Sequence, residues 1–113
     1  MIRLFVYGSL KRGFHNASYL SSACFLGAHT TRAEYSMYDF GNYPAVCASG
    51  STCIVGEVYQ ICEQLLASTD RLEWYPDFYQ RVLINTDHGE AWMYIVSEQL
   101  CGKKKQLTGI WPR

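Results

Sequence analysis

Excess charge of either sign is absent from this 113-residue chain. Ten Lys and Arg balance ten Asp and Glu, so the net charge is zero. A balanced chain carries no electrostatic footprint for nucleic acid or an anionic membrane. Its one basic run, Lys103-Lys104-Lys105, is short and reads as a solvated tail. Metal-binding spacing is missing too: His15, His29 and His88 lie far apart, which excludes a zinc-finger pattern. No apolar run approaches the roughly 20 residues needed to cross a bilayer. Cysteines 24, 47, 53, 62 and 101 are odd in number and form no C-x-x-C. With no signal-like opening stretch, they are expected to be reduced, small-hydrophobe cysteines of a cytoplasmic protein. Internal repeats and low-complexity segments are also lacking.

What is present is a globular composition, 49% apolar and 18% charged, at a length that suits one domain over residues 1–113. Runs rich in β-branched and aromatic residues predict strands at Ile2–Tyr7, Cys24–Arg32, Tyr35–Phe40, Cys53–Gln60, Phe78–Thr86 and Glu90–Val96. Tyr43-Pro44-Ala45-Val46 reads as an edge strand because of its proline, and Ser49-Gly50-Ser51 as a turn. Asn16 is a candidate cap for a short helix reaching Ser21 or Ser22. One longer helix is predicted from about Ile61 to Glu73. Past Ser97 the chain is polar until Ile110-Trp111, where Trp111 reads as a packing anchor. Many short strands around one helix predict an α+β fold, a small mixed or antiparallel β-barrel with short flanking helices.

On a helical wheel, Cys62, Leu65, Thr69 and Leu72 form an apolar stripe with Leu66 at its edge. Glu73 falls between Thr69 and Leu66, inside that stripe. An inward carboxyl is costly when ionised, and burial raises its pKa toward the range of a general acid and base. The alternative is a frayed helix end, with Glu73 turned outward or paired with Arg81. Tyr79 and Tyr94 fall near it if the last two strands pair, and their hydroxyls could orient the carboxyl. At the other end of the chain, FVYGSLKRG closes a strand on Gly8-Ser9. Successive free amides at such a turn form an anion-binding concavity, although Gly-Ser after a strand is more often a plain turn.

The segments FVYGSLKRG, GNYPAV, VGEVYQI, DRLEWYPDFYQR, AWMYIV and Gly109-Ile110-Trp111 occur in order across nearly the whole chain. In these the chain resembles the gamma-glutamylcyclotransferase-like proteins, most closely the small branch with gamma-glutamylamine cyclotransferases and short bacterial homologues. The resemblance implies a small β-barrel with flanking helices and a catalytic acid/base at Glu73. It also implies that the Tyr7-Gly8-Ser9-Leu10 loop cradles a glutamyl group largely through its backbone. A Gly commonly follows the family's Glu, whereas Trp74 stands here. The implied reaction is intramolecular: a gamma-glutamyl amine or peptide closes to 5-oxoproline and releases its amine, with no cofactor and no metal.

Other assignments compete. Ser9 as a nucleophile would need His15 as its base, and no G-x-S-x-G elbow is present. Glu57 reads as a paired wall residue more than a substrate contact, and Arg81 as either a substrate-carboxylate binder or an ion-pair partner. A binding or regulatory domain that keeps the fold without turnover, and an amide hydrolase using the same Glu, are the functional alternatives. The expected partner is a small gamma-glutamyl substrate, with no nucleic acid and no membrane. Neutral charge and many aromatics suit a monomer or a weak homodimer.

Overall fold

The computed structural model describes residues 2–112. Eight strands and two α-helices run in the order β1 (Ile2–Val6), β2 (Cys24–Thr30), β3 (Tyr35–Asp39), β4 (Pro44–Thr52), β5 (Val55–Ile61), α1 (Glu63–Leu72), β6 (Gln80–Thr86), β7 (Gly89–Ile95), α2 (Glu98–Cys101) and β8 (Gln106–Leu107). A 3-10 turn, Ala17–Leu20, precedes β2. The expected α+β class therefore holds. The strands form a five-stranded sheet, β2-β5-β1-β7-β6, and a three-stranded sheet, β4-β3-β8. No closed hydrogen-bonded barrel forms among the described residues. Instead the two sheets meet where the Val96 N–H donates to the Val46 carbonyl at 2.8 Å. No helix of the described residues is long and apolar enough to cross a membrane.

β1 occupies the centre of the larger sheet, antiparallel to β5 and parallel to β7. Both of its faces are covered, and its alternation divides the core. Leu4 and Val6 pack into one apolar cluster with Leu66, Tyr79 and Tyr94, while Phe5 and Tyr7 pack into another with Met37, Val58 and Met93. A stretch buried on both sides needs apolar residues at every position, which is why Leu4 to Tyr7 shows no polar alternation, while Arg3 lies at the less buried start of the strand. The chain leaves β1 at Tyr7, still buried, and this brings the Gly8-Ser9-Leu10 loop to the end of the central strand.

Three expectations change. Ser49-Gly50-Ser51 is not a turn but an excursion within β4, where the register against β3 jumps between Tyr35 and Ser36. Gly50 has φ +136°, and a Cβ there would lie 2.1 Å from the Ser36 hydroxyl, so the excursion can fold back on β3 only with glycine. The polar tail contains α2 and β8, pinned by the buried Cys101 and Leu107. Its Trp111 packs beside the second apolar cluster, as expected of an anchor, and its carbonyl accepts from the Lys11 ammonium. Among the cysteines only Cys47 and Cys101 are buried; Cys24, Cys53 and Cys62 are exposed thiols.

Candidate active site

Glu73 is set in place by the way α1 ends. Leu66 and Thr69 are the helix's buried residues, whereas Cys62, expected on the same stripe, is its exposed N-cap. Glu73 is the C-cap, with its N–H donating to the Thr69 carbonyl at 2.9 Å. The Trp74 N–H bonds the Arg71 carbonyl at 3.2 Å, and the Tyr75 N–H bonds that of Asp70 at 2.9 Å. This pair of bonds is the Schellman motif, whose left-handed position is usually glycine. Here Trp74 fills it, at φ 53°. The Gly that the resemblance implied after Glu73 would thus fall at the one residue of the cap that favours glycine.

The Glu73 side chain is part-buried and lines two adjoining hollows. Desolvation raises its pKa from 4.5 to about 7, with no opposing charge to lower it. Neither carboxylate oxygen accepts a hydrogen bond from a described residue, and no ion pair with Arg81 forms. Arg81 instead holds both oxygens of Asp70 at 3.0 Å, with its guanidinium between the rings of Tyr75 and Trp92, 4.4 Å from each centroid. The outward and Arg81-paired readings of Glu73 are both overturned, and Arg81 is not free to bind a substrate carboxylate.

The inner hollow is narrow, about 30 Å³, and is lined by Tyr7, Gly8, Ser9, Leu10, Glu73, Tyr79 and Tyr94, with Tyr43 and Pro44 at one side. That volume holds little more than a water-sized group. All seven residues expected from the sequence therefore share one recess. The N–H groups of Gly8, Ser9 and Leu10 have no acceptor among the described residues. Gly8 is required there for space, since a Cβ would lie 2.8 Å from the Pro44 ring carbons. Ser9 is fixed by Asn16, whose Nδ2 donates to the Ser9 hydroxyl at 2.9 Å and whose N–H donates to the Ser9 carbonyl at 3.0 Å. Asn16 does precede a helical turn as expected, yet its side chain makes no cap bond and serves the loop instead. No His15–Ser9 bond forms among the described residues, so the serine-nucleophile reading lacks its base.

The tyrosines depart from expectation in one respect. None of their hydroxyls donates to Glu73. Tyr7 donates to the Tyr94 carbonyl at 2.9 Å, Tyr79 to the Pro44 carbonyl at 2.7 Å, and Tyr94 to Asp70 at 2.7 Å. Burial, with the nearby Glu73 charge, holds all three well above their ordinary pKa. They stay neutral and act as walls. Thr69, fully buried, lies 2.8 Å from the Tyr94 hydroxyl, completing an Arg81–Asp70–Tyr94–Thr69 chain behind the C-terminus of α1. Glu57 is structural, as expected: it accepts from the Arg12 N–H and the Tyr59 hydroxyl, each at 3.0 Å, and so ties the loop's far end to β5. Among the described residues no cluster of His, Cys, Asp or Glu could hold a metal.

An outer hollow of about 390 Å³ adjoins the recess, sharing Ser9, Tyr43, Glu73 and Tyr79 with it. His15, Asn16, Leu72, Trp74 and Phe78 complete its lining. Its size lies in the range of small-ligand sites. Sequence reasoning did not reach this chamber, because His15, Tyr43 and Phe78 come from three separate loops.

Comparison with known proteins assigns the chain to a family. The family model described as "Gamma-glutamyl cyclotransferase, AIG2-like" matches residues 4–113. A Vibrio cholerae serotype O1 relative is 43% identical over 95 residues, 84% of this chain and 82% of the other. Escherichia coli K12 "Gamma-glutamylcyclotransferase family protein YtfP" is 36% identical over 110 residues, 97% of this chain and 96% of its own. The solution NMR structure of E. coli ytfP superposes with a TM-score of 0.77, at 37% identity, over 98% of this chain and 96% of that one. With the match running from the middle of β1 through the tail, the chain belongs to the gamma-glutamyl cyclotransferase, AIG2-like family.

Proposed function

We propose that this protein converts a gamma-glutamyl amine or amide-linked peptide to 5-oxoproline and a free amine, with Glu73 as general acid and base. The observation that carries the reading is the unpartnered, desolvated Glu73 carboxyl lining one recess with the free amides of Gly8, Ser9 and Leu10. The amides supply donors for the substrate's anionic end, and Tyr7, Tyr79 and Tyr94 wall off water without contributing charge.

The substrate's α-nitrogen attacks its own γ-carbonyl carbon, forming the ring C–N bond. The bond from that carbon to the departing nitrogen then breaks. Both protons lost by the α-nitrogen end on the leaving amine, relayed in turn through the Glu73 carboxylate, which emerges unchanged. A carboxyl with a pKa about 7 accepts and returns a proton with similar ease near neutral pH. Because nucleophile and electrophile belong to one molecule, the enzyme's task is to fold the substrate and relay protons. Chemistry of this kind calls for no cofactor.

Incubation with a gamma-glutamyl panel, with products identified by mass spectrometry, tests the reading. Release of 5-oxoproline is expected, with kcat/KM rising through about pH 7 as Glu73 ionises and falling at least 100-fold in Glu73→Gln. Free glutamate as product would identify a hydrolase. No product from any member of the panel would leave a binding domain.

A further inference from the structure

We propose, resting on the cyclotransferase reading, that the leaving group is an apolar aromatic amine with no second charge, and that Trp74 selects it. The scissile bond must lie at Glu73, where the two hollows meet, so the departing amine extends into the outer chamber. Aromatic and aliphatic side chains dominate that chamber: Tyr43, Leu72, Trp74, Phe78 and Tyr79. Among the described residues its lining has no Lys, Arg or Asp, and its sole acid is the reacting Glu73. A leaving group carrying a carboxylate would find no fixed cation there, and one carrying a second ammonium no free anion. Neither gains a partner from the lining, whereas an uncharged ring gains contact with the apolar walls. Ser9, Asn16 and His15 supply the remaining polar contacts.

Trp74 is the second, independent observation. A left-handed backbone is strained at a bulky residue, and such strain persists mainly at clamps and functional sites. The Trp74 ring does not recover that cost by packing, because 73% of the residue is exposed. A large apolar ring left open on the wall of a ligand-sized chamber is positioned to cover a bound ring. Phe78, held edge-to-face against Tyr79 with centroids 5.0 Å apart, adds a second aromatic ring to the same lining.

The test compares gamma-glutamyl-phenethylamide, gamma-glutamyl-ethylamide and the ε-linked gamma-glutamyl-lysine, in turnover and in calorimetric binding to the same protein. The phenethylamide is expected to exceed the lysine conjugate about tenfold or more in kcat/KM. Trp74→Gly should bring that ratio to within about threefold, and Trp74→Phe should retain most of it. Foldability does not confound the result, because glycine relieves the strained φ and should raise the unfolding midpoint. If 5-oxoproline forms but the lysine conjugate is preferred, or Trp74→Gly leaves the ratio unchanged, the inference falls while the cyclotransferase reading stands. If nothing turns over yet binding shows a Trp74-dependent aromatic preference, the cyclotransferase reading falls and the leaving-group assignment falls with it, leaving Trp74 as the selector of an aromatic ligand. Absence of both turnover and preference overturns both.

Discussion

Replacing Glu73 by Gln should stabilise this protein at alkaline pH and leave its stability nearly unchanged in acid. A carboxyl whose pKa rises from 4.5 unfolded to about 7 folded keeps its proton across that interval in the native state alone. Where the native state binds more protons than the unfolded chain, stability falls as pH rises. Glu73 is therefore harmless below 4.5, increasingly costly from there to 7, and at full cost above 7. At about 1.4 kcal/mol per pH unit, the loss is on the order of 3 kcal/mol, and the side chain's remaining exposure trims it toward 2. Gln is nearly isosteric and never ionises, so it escapes the penalty. Urea unfolding of both proteins at pH 4.5 and pH 8.5 measures the effect. All other titrating groups are shared and cancel in the difference between the two proteins. A difference of about 2–3 kcal/mol in favour of Gln at pH 8.5, shrinking in acid, is expected. A difference independent of pH would mean that the carboxyl is solvated in the native state, and the argument for a poised acid would fail without any substrate having been tried.

Two further perturbations probe the frame around this group. Gly8→Ala places a methyl 2.8 Å from the Pro44 ring, whose carbonyl is held by Tyr79, so an unfolding cost of about 1–3 kcal/mol is expected; a neutral thermal midpoint would show that the loop moves freely. Arg81→Lys keeps the charge but loses the two-oxygen grip on Asp70 and the fit between Tyr75 and Trp92, at about 1–3 kcal/mol by urea midpoint. A Lys variant as stable as the parent would refute the view that a planar guanidinium braces the end of α1.

Local chemistry made much of this legible from the chain. Strand residues advertise themselves by branching and aromaticity, so β1, β3, β5, β6 and β7 fall close to expectation. The 3.6-residue period carried Glu73 to the inner side of α1, because a C-cap residue still follows the helical sweep. Wherever a partner distant in sequence decides, that reading stopped. Ser49-Gly50-Ser51 has the composition of a turn, yet β3 pairs on either side of it and absorbs it into β4. Arg81 was open between a substrate carboxylate and an ion pair, and its place on β6 beside the end of α1 gave it to Asp70. The tyrosine hydroxyls had carbonyls and Asp70 within reach, which no spacing reveals.

The sequence alone determined that an acid follows an apolar helical face and that an apolar strand ends in Gly-Ser, since both are patterns within a few residues. Only the tertiary structure decided that the two meet in one recess, with a wider aromatic chamber beside it. Burial is a property of everything that surrounds a group, and those surroundings are drawn from β1, the loop before β4, the end of α1 and β7 together. The proton affinity of Glu73 follows from that enclosure, because desolvation by its surroundings is what raises its pKa.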